Sequence, residues 1–117
     1  MPEVYKTTYT VEVEYLERDE EGNHRKDTVE IPYINSDQFF DVMDSPEVKR
    51  AEADQSDMAI LAVGRLLANL LVPDLLKKLS PVSGIKLMME IFRHEKETFG
   101  LGELKRPTAS EAESTTT

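Results

Sequence analysis

The chain has no cysteine and only two histidines. Without cysteine it can form no disulfide framework, no zinc–thiolate site and no thiol nucleophile. That absence suits a cytoplasm, of a bacterial or a host cell, where thiols stay reduced in any case. Positive charge is also scarce. The 14 Lys and Arg against 23 Asp and Glu leave a net charge of −9, and phosphate binding needs clustered Lys and Arg. Direct contact with nucleic acid or with an anionic membrane is therefore not expected. Long apolar runs are missing too. The longest, "MAILAVGRLLANLLV" from Met58 to Val72, is broken by Arg65 and Asn69 and is too short to span a bilayer without strain. It reads as a buried helix. The N-terminal "MPEVYKTTYT" has no basic region followed by an apolar run, so no signal peptide is expected.

Reaction motifs are missing as well. Ser83-Gly84 has no Gly-x-Ser-x-Gly around it and no strand-to-helix context. No glycine-rich phosphate loop occurs. The acidic run "EADQSD", Glu52 to Asp57, lacks the alternating oxygen ligands and distal Glu of a calcium loop, and reads as a solvated helical face. Glu90, His94 and Glu97 could share one helical face, but no second ligand pair such as Glu-x-x-His accompanies them. His24 sits among charged residues in a turn. The expectation is a protein with no catalytic site, no metal and no cofactor.

What is present is a change of period. In "VYKTTYTVEVEYLE" the residues Tyr5, Thr7, Tyr9, Val11, Val13 and Tyr15 share one parity and the polar residues share the other. Period two with β-branched and aromatic residues on one side predicts a half-buried strand. "RDEEGNHRKD" follows with Gly22-Asn23 at its centre, a turn signal. "TVEIPYI" then returns with Val29, Ile31 and Tyr33 on one face, and Pro32 places this strand at an edge or ends it. The odd-parity face should pack on the rest of the chain, because an isolated hairpin is marginal in water.

Past residue 35 the signals are helical. Ser36 or Asp37 can cap a short helix, "DQFFDVMD", that presents Phe39, Phe40 and Met43. Ser45-Pro46-Glu47 restarts the chain with an N-cap, a proline at the first helical position and an acid at the positive end of the dipole. Pro46 to Asp57 is polar nearly all round, as in a solvated helix or helical linker. The apolar helix from Met58 should stop or kink at Pro73. A short helix is expected over Asp74–Leu79. Ser80-Pro81 opens a last helix that runs to Phe99 and is ended by Gly100. Its stripe carries Ile85, Met88, Met89 and Phe92, with Leu87 and Ile91 beside it. Adjacent helical positions point about 100° apart, so the stripe is wide. The reading is an α+β fold: an N-terminal β-hairpin (1–34), a small bundle of three to five helices (35–102), and a polar, flexible tail (103–117).

A stripe too wide for a modest core suggests a surface shared with another chain, and methionine adapts to varied partners. Leu87, Met88, Ile91 and Phe92 are the predicted partner-binding residues, divided between core and contact. The predicted partner is another protein, or a second copy of this chain, engaged through the C-terminal helical half. The layout resembles small phage tail-assembly chaperones, which are acidic, lack catalytic residues and end in polar tails. This resemblance covers the chain's general organisation and rests on no specific motif. It implies a non-catalytic assembly adaptor, cytoplasmic or associated with a virion. The alternative is an acidic mimic that occupies a nucleic-acid-binding protein through Asp37, Asp41, Asp44, Glu47, Glu52, Asp54 and Asp57.

Overall fold

A computed structural model describes residues 5–101; the tail expected over 103–117 lies outside the described residues. Two antiparallel strands, β1 (Thr8–Arg18) and β2 (His24–Pro32), form a two-stranded sheet. Among the described residues four helices follow: α1 (Ser36–Val42), α2 (Pro46–Ala53), α3 (Asp57–Leu71) and α4 (Pro81–Glu95), with a 3-10 turn at Leu76–Lys78 between the last two. The α+β reading and its helix count both hold.

The hairpin follows the expected register. Tyr9 pairs with Ile31, Val11 with Val29 and Val13 with Asp27. Val11, Val13, Tyr15 and Ile31 are buried, and Tyr9 and Val29 pack against the same core. The turn is longer than a two-residue type. Gly22 alone takes a positive φ, +89°, and the loop is closed by Asp19. Its backbone N–H donates to the Asn23 carbonyl, and its side chain accepts from the N–H groups of Glu21 and Asn23. An Asx-type side chain has taken over part of the turn.

Each helix begins on a polar cap. Asn35, rather than Ser36 or Asp37, caps α1. It accepts from the Gln38 N–H while the Gln38 side chain accepts from the Asn35 N–H, a reciprocal capping box. Ser45 with Pro46, Ser56, and Ser80 with Pro81 open the other three. α2 is not solvated all round. Val48 and Ala51, three residues apart, are buried and dock it on α3. The segment expected as a helix over Asp74–Leu79 contains only the 3-10 turn. Asp74 turns the chain there with φ +71° and pairs with Lys77 at 3.1 Å.

α3 and α4 form the centre of the core. Ala59, Val63, Leu67, Ala68 and Leu71 of α3 face Leu87 and Ile91 of α4. Each fully buried Val, Leu or Ile side chain contributes about 1.5–3 kcal/mol. Gly64 lets the two helices touch: a Cβ built there would lie 2.5 Å from the Met88 carbonyl oxygen. Beyond Glu95 the chain winds through two more turns to Gly100, φ +71°. There the Leu101 N–H donates to the Lys96 carbonyl and the Gly100 N–H to that of Glu97. That pair of bonds is a Schellman closure, but it ends the turns after α4; the helix itself stops at Glu95 and not at the expected Phe99.

Candidate protein-binding face

α4 holds the apolar stripe, and its rotation about its own axis decides which side chains are available to a partner. Two features set that rotation. The first is the contact with Gly64, which brings the α4 backbone at Met88 onto α3. The second is the N-terminal end, tied to the outer edge of β1. The Ser80 N–H donates to the Glu14 carbonyl, and the Ser83 hydroxyl accepts from the Glu14 N–H at 2.8 Å. Tyr15 and Leu79 bridge alongside. These bonds satisfy strand-edge groups that burial would otherwise leave unpaired.

The inward line is therefore Ser83, Gly84, Leu87, Ile91 and Glu95. Leu87 and Ile91 are 0% exposed, so neither can meet a partner without opening the core. They fall on the core side of the expected division between core and contact. Met88 and Phe92 are half-buried at the flanks, and Phe92 packs against the core. The open apolar side chains of α4 are instead Val82, Ile85 and Met89, at 65%, 47% and 47% exposure. They recur at steps of three and four residues, one face of a helix.

Ile85, Met89 and Phe92 line a shallow depression of about 600 Å³, with Ile60 of α3 on its far side. Lys86, Glu90, Arg93 and Lys96 form its rim. The Arg93 guanidinium grips Glu90 through two bonds, Nε–Oε1 at 2.8 Å and Nη2–Oε2 at 2.9 Å. That hydrogen bonding holds the Glu90 carboxyl below its usual range. Among the described residues the ammonium groups of Lys86 and Lys96 make no ion pair.

At the far end of α4 the polar residues have structural work. Glu95 is 2% exposed. Its carboxylate accepts from the Ile34 N–H at 2.7 Å and from the Thr98 hydroxyl at 3.3 Å, so it holds the segment that leads from β2 into α1. His94 stacks on Tyr9 with ring centroids 3.7 Å apart, and Tyr33 packs on Tyr9 at 4.9 Å. The Tyr9 hydroxyl is buried with no hydrogen-bond partner among the described residues. Burial first, and then the Glu95 charge, raises its pKa above the ordinary phenol value. His24 opens β2, and its Nδ1 lies 2.7 Å from the Tyr15 carbonyl oxygen. Among the described residues no three His, Asp or Glu side chains converge as a metal-binding set, and no helix is long and apolar enough to cross a membrane.

The acidic residues of the alternative reading lie along α1, α2 and the start of α3. Asp37, Asp41, Asp44, Glu52, Asp54 and Asp57 are exposed, and Glu47 is partly covered. Cations interrupt this surface. Lys49 pairs with Asp44 at 3.8 Å, and Arg50 and Arg65 line a depression beside Glu47. Asp54 is engaged in the turn before α3, accepting from both the N–H and the hydroxyl of Ser56.

Hydrophobicity alone could not have separated Met89 from Leu87. The usable signal was Gly64, a small residue inside a helical pattern, which marks close approach rather than an open face. Compared with known proteins, the chain matches no family model, no curated protein and no solved structure.

Proposed function

We propose that this chain is a non-catalytic protein-interaction module that serves assembly, engaging another protein or a second copy through the outer face of α4. Its most specific form is a phage tail-assembly chaperone or a similar small virion-assembly adaptor. The observation that supports the reading is the run of Val82, Ile85 and Met89, open on a helix whose opposite side is already committed to the core. Neighbouring apolar side chains on a rigid, capped helix suit helix-in-groove recognition, where anchors recur at three and four residues. The layout that resembles tail-assembly chaperones supports the finer form.

The test uses the full chain as bait in an extract of its native host, washed at about 0.5 M salt, well above physiological ionic strength. Apolar contact survives that wash, and Met89→Asp abolishes capture while Asp54→Lys with Asp57→Lys leaves it intact. A mimic bound through its carboxylates would behave in the opposite way. Capture lost to salt and to charge reversal at Asp54 and Asp57, yet unaffected by Met89→Asp, overturns the proposal in favour of the acidic mimic.

A further inference from the structure

We infer that the occupant of the α4 face is an acidic amphipathic helix of another protein, a conclusion that rests on the protein-binding reading above. The argument is the local inversion of charge. The chain as a whole carries −9, yet the rim of this depression holds three cations, Lys86, Arg93 and Lys96, against one anion, Glu90. Glu90 is already taken by Arg93. Lys86 and Lys96 stand beside exposed apolar side chains with no ion pair among the described residues.

Such a rim discriminates between occupants. A partner that lays apolar anchors over Ile85 and Met89 brings its flanking residues against Lys86 and Lys96, and only Asp or Glu there converts the approach into attraction. A symmetric dimer through the same face is disfavoured. Two-fold contact is self-complementary and sets the patch against its own copy, which crowds six cations round an apolar centre that offers only two carboxylates, both already bound. From Val82 to Phe92 the stripe covers ten helical steps, roughly 15 Å at about 1.5 Å per residue, so three turns of a partner helix would fill it.

Two synthetic helical peptides of about 18 residues serve as probes, long enough to hold a helix on a surface. Both carry leucine at i, i+3, i+4 and i+7; one has Glu and Asp flanks and the other has Lys and Arg. Each is titrated into the isotope-labelled full chain and followed by NMR. The acidic peptide is expected to shift the Ile85, Lys86 and Met89 signals and to bind at least about tenfold tighter than the basic one, a difference of about 1.4 kcal/mol. Lys86→Glu with Lys96→Glu is expected to reverse that order. Lys86→Gln with Lys96→Gln, which only removes charge, is expected to erase it and covers the case in which the double reversal does not fold. Equal or tighter binding of the basic peptide, or no α4 shifts with either, overturns the inference. So does sedimentation that finds the chain self-associating through Met89. If Met89→Asp abolishes host-protein capture while both lysine double variants leave it intact, the binding face stands and the acidic occupant is rejected. If all of these variants capture as the native chain does, the face itself is rejected.

Discussion

Replacing Gly64 by alanine sets a methyl group against the backbone of α4. The added Cβ would lie 2.5 Å from the Met88 carbonyl oxygen, 2.9 Å from its carbon and 3.0 Å from its Cβ. None of these atoms can rotate away, so the helices must separate along their main contact. Overpacking of this kind costs about 1–3 kcal/mol, and a clash with backbone belongs at the upper end. Alanine also recovers about 1 kcal/mol of helix propensity. The net loss should be about 2 kcal/mol, which for a domain near this size lowers Tm by roughly 8–16 °C. Gly84→Ala is the control. Its Cβ would meet only the Leu76 Cδ2, at 3.7 Å, an ordinary contact, so the propensity gain should leave the variant as stable as the native chain or more so. Thermal and urea unfolding followed by circular dichroism measures both. If Gly64→Ala melts with the native chain, or Gly84→Ala loses as much, the α3–α4 contact that sets the α4 face is misplaced.

Tyr9→Phe removes a buried hydroxyl that has no partner among the described residues, so stability at neutral pH should stay level or rise by up to about 1 kcal/mol. Because the Tyr9 pKa is raised in the fold, the unfolded chain sheds that proton first as pH climbs past about 10. The native chain should lose stability in that alkaline window, and the loss should shrink in Tyr9→Phe; identical alkaline profiles would contradict the burial argument. Glu95→Ala strips the acceptor from the Ile34 N–H and should cost about 1–3 kcal/mol in denaturant unfolding, with a near-neutral result ruling out the clamp. Ser83→Ala removes the acceptor of the Glu14 N–H; hydrogen exchange at Glu14 should quicken by roughly five- to tenfold, as expected when a bond worth about 1–1.5 kcal/mol is lost, and an unchanged rate would mean the strand edge does not depend on that hydroxyl.

Much of the architecture was legible because it rests on local rules. Parity separated Val11 and Val13 from Glu12 and Glu14. Ser45-Pro46 and Ser80-Pro81 marked two helix starts. The last stop was misplaced: α4 ends at Glu95, and Gly100 closes only the turns beyond it. Where those rules failed, a second local signal or a tertiary contact had intervened. Asn35 displaced Ser36 and Asp37 as cap because Gln38 sits at the position that completes the box. α2 looked polar because only Val48 and Ala51, two small side chains, dock it. The proposed face was legible only as a wide stripe. Its division into a core line at Leu87 and Ile91 and an open line at Val82, Ile85 and Met89 depends on where Gly64 and Ser83 clamp α4, and both are long-range contacts.

The central claim is that the outer side of α4, and not the acidic surface of α1 and α2, meets the partner. The chain's own methionines can report on it. Met43, Met58 and Met89 are exposed at 37%, 67% and 47%, and exposed methionine oxidises readily to the sulfoxide. Brief peroxide treatment of the free chain and of the chain bound to its captured host protein, read residue by residue by mass spectrometry, compares the three positions within one molecule. Met89 is expected to be protected in the complex while Met43, between the acids of α1 and α2, stays as reactive as in the free chain. Protection at Met43 with Met89 still fully reactive would contradict it.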